Sequence, residues 1–184
     1  MKKLVVIIIA GLLFVACQNK DESKPQYQFP SGGGPAGGVT QPAPLQGQEE
    51  MKLLKEAVSK DPKNAEAWIR LGNISMDTRQ FPDAIEAYTK ALKLDPKNVD
   101  VRVDLGTCYR NSGKPDVAAR EYRKALDLNP NHLNAHKNLG VVLAYDLKDK
   151  AQAIREFEKA LELAPNAPDA PQLRQEIQNL KASK

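Results

Sequence analysis

Aromatic side chains are scarce in this 184-residue chain, at 5% of residues, so any core must be built mainly from Leu, Ala and Val. Histidine occurs twice, as His132 and His136, and there is no HExxH pair and no third ligand placed beside them by motif. That excludes the common sequence forms of a zinc hydrolase. Charge of one sign is lacking too: 27 Lys and Arg stand against 23 Asp and Glu, for a net +4. No Lys/Arg-rich run interleaves with aromatics, so nucleic acid and strongly anionic surfaces are poor partners for this chain. Long apolar runs are limited to residues 4–16, between Lys3 and Cys17. Those 13 residues would extend about 20 Å as a helix, short of the roughly 30 Å hydrocarbon core of a bilayer. With two lysines before it and Ala16 at its end, the segment reads as a signal peptide over residues 1–16. Its removal takes away Lys2 and Lys3 and lowers the net charge from +4 to +2.

The residues at the cut carry a further signal. "FVAC" at 14–17 resembles the lipobox of bacterial lipoproteins, with Phe14 where Leu is usual. The resemblance implies that Cys17 receives a diacylglycerol on its sulfur and becomes an acylated N-terminus, because a thiolate is the nucleophile that can take the lipid. The alternative is an ordinary signal peptide with an incidental cysteine. Two or three acyl chains anchor stably where one does not. Gln18 after the cysteine implies the outer membrane, facing the periplasm, if the cell is Gram-negative. With Cys17 lipidated, Cys108 has no intramolecular partner and is expected to be a small buried thiol. Residues 17–47 then form a Pro- and Gly-rich tether without apolar periodicity. As a flexible coil it spans near 30 Å. "GGGPAGG" lacks the Gly-Lys-Ser/Thr ending of a phosphate loop.

What is abundant is repetition. "KALKLDPKN" at 90–98 returns as "KALDLNPNH" at 124–132 and "KALELAPNA" at 159–167, with a weaker "EAVSKDPKN" at 56–64. Ala57, Ala91, Ala125 and Ala160 stand 34, 34 and 35 residues apart, the period of a repeat array. Pro62, Pro96, Pro130 and Pro165 each stop a helix. Upstream, Ala84, Ile85, Tyr88, Ala91, Leu92 and Leu94 fall mostly three or four apart, one helical face, and Ala67, Trp68, Leu71, Gly72 and Ser75 mark another. Two helices per period make a helical hairpin.

The pattern resembles the tetratricopeptide repeat (TPR), whose successive signature residues are Trp, Leu, Gly, Tyr, Ala, Phe or Tyr, Ala and Pro. Residues 65–98 supply Trp68, Leu71, Gly72, Ala84, Tyr88, Ala91 and Pro96, with Ser75 in place of the first Tyr. Residues 99–132 supply Leu105, Gly106, Tyr109, Ala118, Tyr122, Ala125 and Pro130, with Arg102 for Trp. Residues 133–167 supply Leu139, Gly140, Ala153, Phe157, Ala160 and Pro165, with His136 for Trp, Leu143 for Tyr and one residue inserted in the 146–150 turn. Residues 48–64 read as a half-repeat helix and 168–184 as a capping helix with Asp169 at its start. The expected fold is all-α, an α-solenoid of TPR hairpins wound as a right-handed superhelix.

The resemblance implies that the first helices line a concave groove. Its expected lining is Ile69, Asn73, Met76 and Asp77, then Val103, Thr107, Arg110 and Asn111, then Lys137, Val141, Ala144 and Tyr145. A trough with apolar contacts, one aromatic and two cations suits an extended or helical segment of another protein; the alternative is an ordinary solvated face. The family's carboxylate clamp fits poorly, since Ile69, Asn73, Asp104, Asn134 and Asn138 stand at its places and Asp104 repels a carboxylate. No enzyme, no cofactor beyond the lipid on Cys17 and no small-molecule substrate are expected. The anticipated role is a lipid-anchored adaptor in an envelope assembly, similar to TPR lipoproteins that pilot secretins and pili. Alternatives are a scaffold for cell-wall enzymes and, least favoured, a metal protein using His132 and His136.

Overall fold

The computed structural model describes residues 44–182, with side-chain surroundings from residue 47 onward. The signal peptide, Cys17 and most of the tether lie outside the described residues. Among the described residues there are eight α-helices and no strand. They are α1 (Pro44–Lys60), α2 (Ala65–Asp77), α3 (Phe81–Leu94), α4 (Val99–Asn111), α5 (Pro115–Leu128), α6 (Leu133–Val141), α7 (Lys150–Leu163) and α8 (Ala170–Ala182). Helix α1 starts at Pro44, so the last four residues assigned to the tether are helical. Proline suits a first helical position, where a missing N–H removes no helical bond.

The recurring phrase is a complete turn-and-cap device. The side chains of Asp61, Asp95 and Asn129 accept from the N–H two residues on, at 3.2, 3.2 and 3.1 Å, closing an Asx turn. The next residue is proline, which cannot continue the helix. Two residues later Asn64, Asn98 and His132 cap the following helix, accepting from Ala67, Val101 and Ala135 at 2.9, 3.1 and 3.1 Å. The fourth copy, "APNA" at 164–167, has alanines at the Asx-turn and cap places, and α8 begins only at Ala170.

The Trp position shows what Trp, Arg and His have in common. Trp68 Nε1, Arg102 Nη2 and His136 Nε2 each donate to the carbonyl of the proline six residues earlier, Pro62, Pro96 and Pro130, at 3.0, 2.9 and 2.9 Å. The facing residue on the second helix changes in step. Where the first helix carries Trp68 the second has buried Ala87; Arg102 meets Glu121 at 3.0 Å and His136 meets Glu156 at 2.7 Å. A charged donor that replaces the indole is thus supplied with a carboxylate, as a desolvated charge requires.

Helices pair as hairpins α2–α3, α4–α5 and α6–α7, each packed on the next, with α1 and α8 at the ends. The rings of Tyr88, Tyr122 and Phe157 are fully buried and lie over Gly72, Gly106 and Gly140. Only a residue without Cβ admits the ring there. Within each hairpin the helices are joined by a three-residue link with a left-handed middle residue, Arg79, Gly113 and Lys148 at φ 59°, 72° and 61°. All three links have the same length, which corrects the expectation that the extra residue of the third repeat sits in the 146–150 turn. It sits one turn earlier: α6 runs on into a π turn over Val142–Asp146, with Leu147 N–H donating to the Val142 carbonyl at 2.9 Å. A single inserted residue is absorbed by widening one helical turn.

Ser75, standing where Tyr109 and Leu143 stand in the later repeats, is fully buried and its Oγ has no partner. Ser75→Ala is therefore expected to raise stability by about 1 kcal/mol, since a buried hydroxyl without a bond costs that much or more. Urea denaturation of the two proteins checks it; a loss of stability would mean the hydroxyl is satisfied.

Candidate functional site

The groove residues expected from the resemblance all lie on α2, α4, α6 or the π turn, but they do not share one surface. Asn73, Asp77 and Asn111 are exposed, and Ile69, Met76, Thr107, Arg110 and Tyr145 are half-buried. Val103, Val141 and Ala144 are buried in the core cluster that includes Leu173 and Ile177 of α8. Lys137 is 6% exposed and its ammonium meets the Asp169 carboxylate at 2.6 Å. These four are corrected: they are packing residues, Lys137 tied to Asp169 just ahead of α8 and Val103, Val141 and Ala144 enclosed in the core cluster. The open stretch is formed by α2 and α4.

The two groove cations are also accounted for. Lys137 belongs to Asp169, and Arg110 Nε donates to Asp146 at 2.6 Å. The polar residues have structural duties as well. The Tyr88 hydroxyl donates to Asn73 Oδ1 at 2.8 Å, and the Tyr122 hydroxyl pairs with Thr107 Oγ1 at 3.1 Å. In the third repeat the ring is Phe157, without a hydroxyl, and the equivalent of Asn73 and Thr107 is Val141. The groove residue at this place is chosen by the ring behind it.

What remains uncompensated is acidic. Asp104, on α4 facing α2, has its carboxyl pushed up to about 7 by burial, then by Asp100 and Asp77. Partial desolvation also raises Asp77, although its side chain is largely exposed. Burial and Asp104 together hold the Tyr88 hydroxyl well above its ordinary range and push the Cys108 thiol up to about 12, so Cys108 is an inert buried thiol. In the sequence Asp104 stands out only as a mismatch to the carboxylate clamp. Its place in the family register already put it on the concave face; its desolvation is a tertiary property.

The two histidines have all four ring nitrogens engaged. His132 accepts from Ala135 N–H at Nδ1 and meets Asp100 at 2.9 Å through Nε2. His136 faces Glu156 through Nδ1 and the Pro130 carbonyl through Nε2. Both partners of His136 are acceptors, so the ring is best satisfied as imidazolium. Burial works against that form, but the bonds to Glu156 and Pro130 and the charge of Glu156 outweigh it and raise the pKa. A raised folded-state value stabilises the fold fully below the ordinary 6.5 and progressively less as pH rises through the folded value. Melting temperature is expected to fall as pH rises above 6.5, and less so in His136→Gln; parallel profiles for the two proteins would contradict the assignment.

A family model described as "Cytochrome c-type biogenesis protein H TPR domain" matches residues 41–171. Among solved structures, a MamA protein superposes with a TM-score of 0.68 at 25% identity, covering 74% of each chain. The first TPR of Spaghetti (RPAP3), bound to the HSP90 peptide SRMEEVD, superposes at 0.61 with 27% identity, covering 67% of this chain and 97% of that one. The first TPR domain of human RPAP3 gives 0.60 with 26% identity, over 66% and 94%. No curated protein matches the chain in sequence.

Proposed function

The chain belongs to the family of cytochrome c-type biogenesis protein H TPR domains; from that membership we propose a protein-interaction adaptor with no catalysis of its own, and from the "FVAC" signal at 14–17 that it is held at a bacterial envelope by lipid on Cys17. The observation that carries the binding reading is Asp104, a carboxylate kept half-desolvated on the open concave stretch. No cation offsets it among the described residues, and the neighbouring carboxylates make its ionisation costlier. A group that opposes stability in this way is characteristic of a binding site.

The partner class follows from the lining. Ile69 and Met76 offer half-buried apolar contacts, and Asp77 and Asp104 offer negative charge. A helical or extended protein segment carrying Lys or Arg beside apolar residues complements both. The RPAP3 neighbour is described with an acidic peptide, SRMEEVD; Asp104 would repel such a ligand, so the preference here is of opposite sign. The "FVAC" signal at 14–17 supports the anchor, and with Gln18 an outer-membrane site facing the periplasm in a Gram-negative cell. A role within an envelope assembly is the reading that joins anchor and groove.

Photo-crosslinking in the native cells tests it. A crosslinker at Met76 or Asn111 is expected to give a discrete adduct, and one at exposed Lys90 or Arg120 on the second helices none. Adducts from the second helices alone would overturn the groove reading. Loss of labelled fatty acid in Cys17→Ser is the expected sign of the anchor; unchanged labelling would remove it.

A further inference from the structure

Helix α1 stands where a second helix of a hairpin stands, with no first helix beside it among the described residues. On the repeat register Ala57 corresponds to Ala91, Ala125 and Ala160, Leu54 to the buried rings, and Glu50 to Ala84, Ala118 and Ala153. In the complete hairpins all of these are buried by the first helix. On α1, Ala57 is exposed and Leu54 half-buried, and Leu53 beside them is 65% exposed, the most exposed large apolar side chain among the described residues. The array thus ends in an apolar strip shaped to take an antiparallel helix.

The sequence leading into α1 carries no pattern for such a helix. Residues 30–43 contain three prolines and five glycines and no helical apolar stripe. Helix α8 is a first-type helix at the other end, but Arg174, Gln175 and Gln178 occupy the outward places where Leu, Gly and an apolar residue pack a second helix. Gln175 in particular brings a side chain where Gly72, Gly106 and Gly140 have none.

A second copy of α1 does fit. We infer that two copies of this chain pair through α1, antiparallel about a twofold axis passing midway between Leu53 and Ala57. That register sets Leu53 against the partner subunit's Ala57, large against small, and repeats the contact on the other side by symmetry. It also sets Glu50 against the partner subunit's Lys60, twice. Glu50 already touches Arg70 at 3.3 Å, both well exposed, so the new pair forms beside an existing one. The strip is small, so the dimer is weak and concentration-dependent. This pairing uses the array's edge and leaves the α2–α4 groove open, and it stands independently of what the groove binds.

Sedimentation equilibrium of the unlipidated Cys17→Ser chain without the 1–16 signal segment, from about 1 µM to about 1 mM, tests it, with circular dichroism to confirm that each variant keeps its helices. This parent protein is expected to pass from monomer to dimer. Glu50→Lys and Lys60→Glu should each weaken association at least about tenfold, since each places like charges opposite one another twice. The double variant Glu50→Lys/Lys60→Glu should restore it. A protein monomeric throughout, four proteins that associate alike, or a double variant no better than the singles would each overturn the pairing.

Discussion

Gly106→Ala is expected to cost the array about 2–3 kcal/mol, from one added methyl. A Cβ built on Gly106 lies 2.6 Å from Tyr122 Cε1 and 2.9 Å from Cδ1, far inside contact distance. Neither side can yield easily. The Tyr122 ring is fully buried and its hydroxyl is tied to Thr107, and α4 and α5 are each held by a neighbouring hairpin. Alanine gains about 1 kcal/mol of helix propensity over glycine, so the steric cost must exceed that before any loss is seen. Denaturant unfolding measures the difference. Tyr122→Leu in the same chain should recover part of it, because the ring is the obstacle; stability equal to or above the parent would show that the helices separate freely.

The second large effect is expected at Arg102. Its guanidinium holds Glu121 at 3.0 Å and the Pro96 carbonyl at 2.9 Å, with side chains only 14% and 11% exposed. Arg102→Ala leaves Glu121 with the exposed Lys124 alone and the proline carbonyl without its donor. Removing one partner from such a pair costs roughly 2–3 kcal/mol, below the figure for a fully buried pair. The first repeat supplies the control. Arg102→Trp/Glu121→Ala copies Trp68 and Ala87, which keep the bond to the proline carbonyl without any charge. The double variant should regain most of the loss. If it is as unstable as Arg102→Ala, the indole and the guanidinium are not equivalent and the reading of this position is wrong.

The hairpins, their register and the terminal helices were legible because each rests on local sequence: proline stops, small residues beside rings, apolar spacing of three and four. Other features were not. Trp68, Arg102 and His136 read as one aromatic and two replacements, since their shared property is a donor aimed at a carbonyl six residues back. The inserted residue of the third repeat could sit anywhere between α6 and α7, and only backbone hydrogen bonding places it in the π turn at Val142–Asp146. Lys137 looked like a groove cation because its partner Asp169 is 32 residues away and joins it only when α8 docks. Asp104 carries no local mark of its burial, which arises only in the packed array.

On the proposed function the α2–α4 stretch retains Asp104 for a partner at the expense of stability, and one variant measures both halves. Its folded-state pKa, about 7 against an ordinary 3.8, is raised, so its contribution to stability is present below about pH 4 and is lost as pH rises through 7. Asp104→Asn keeps the shape without the charge. It is expected to be about 1–2 kcal/mol more stable at pH 8, to show a flatter stability profile between pH 4 and 7, and to lose the adduct formed by a crosslinker at Met76. A variant that is no more stable, or that still captures the same partner in the same yield, would contradict the account.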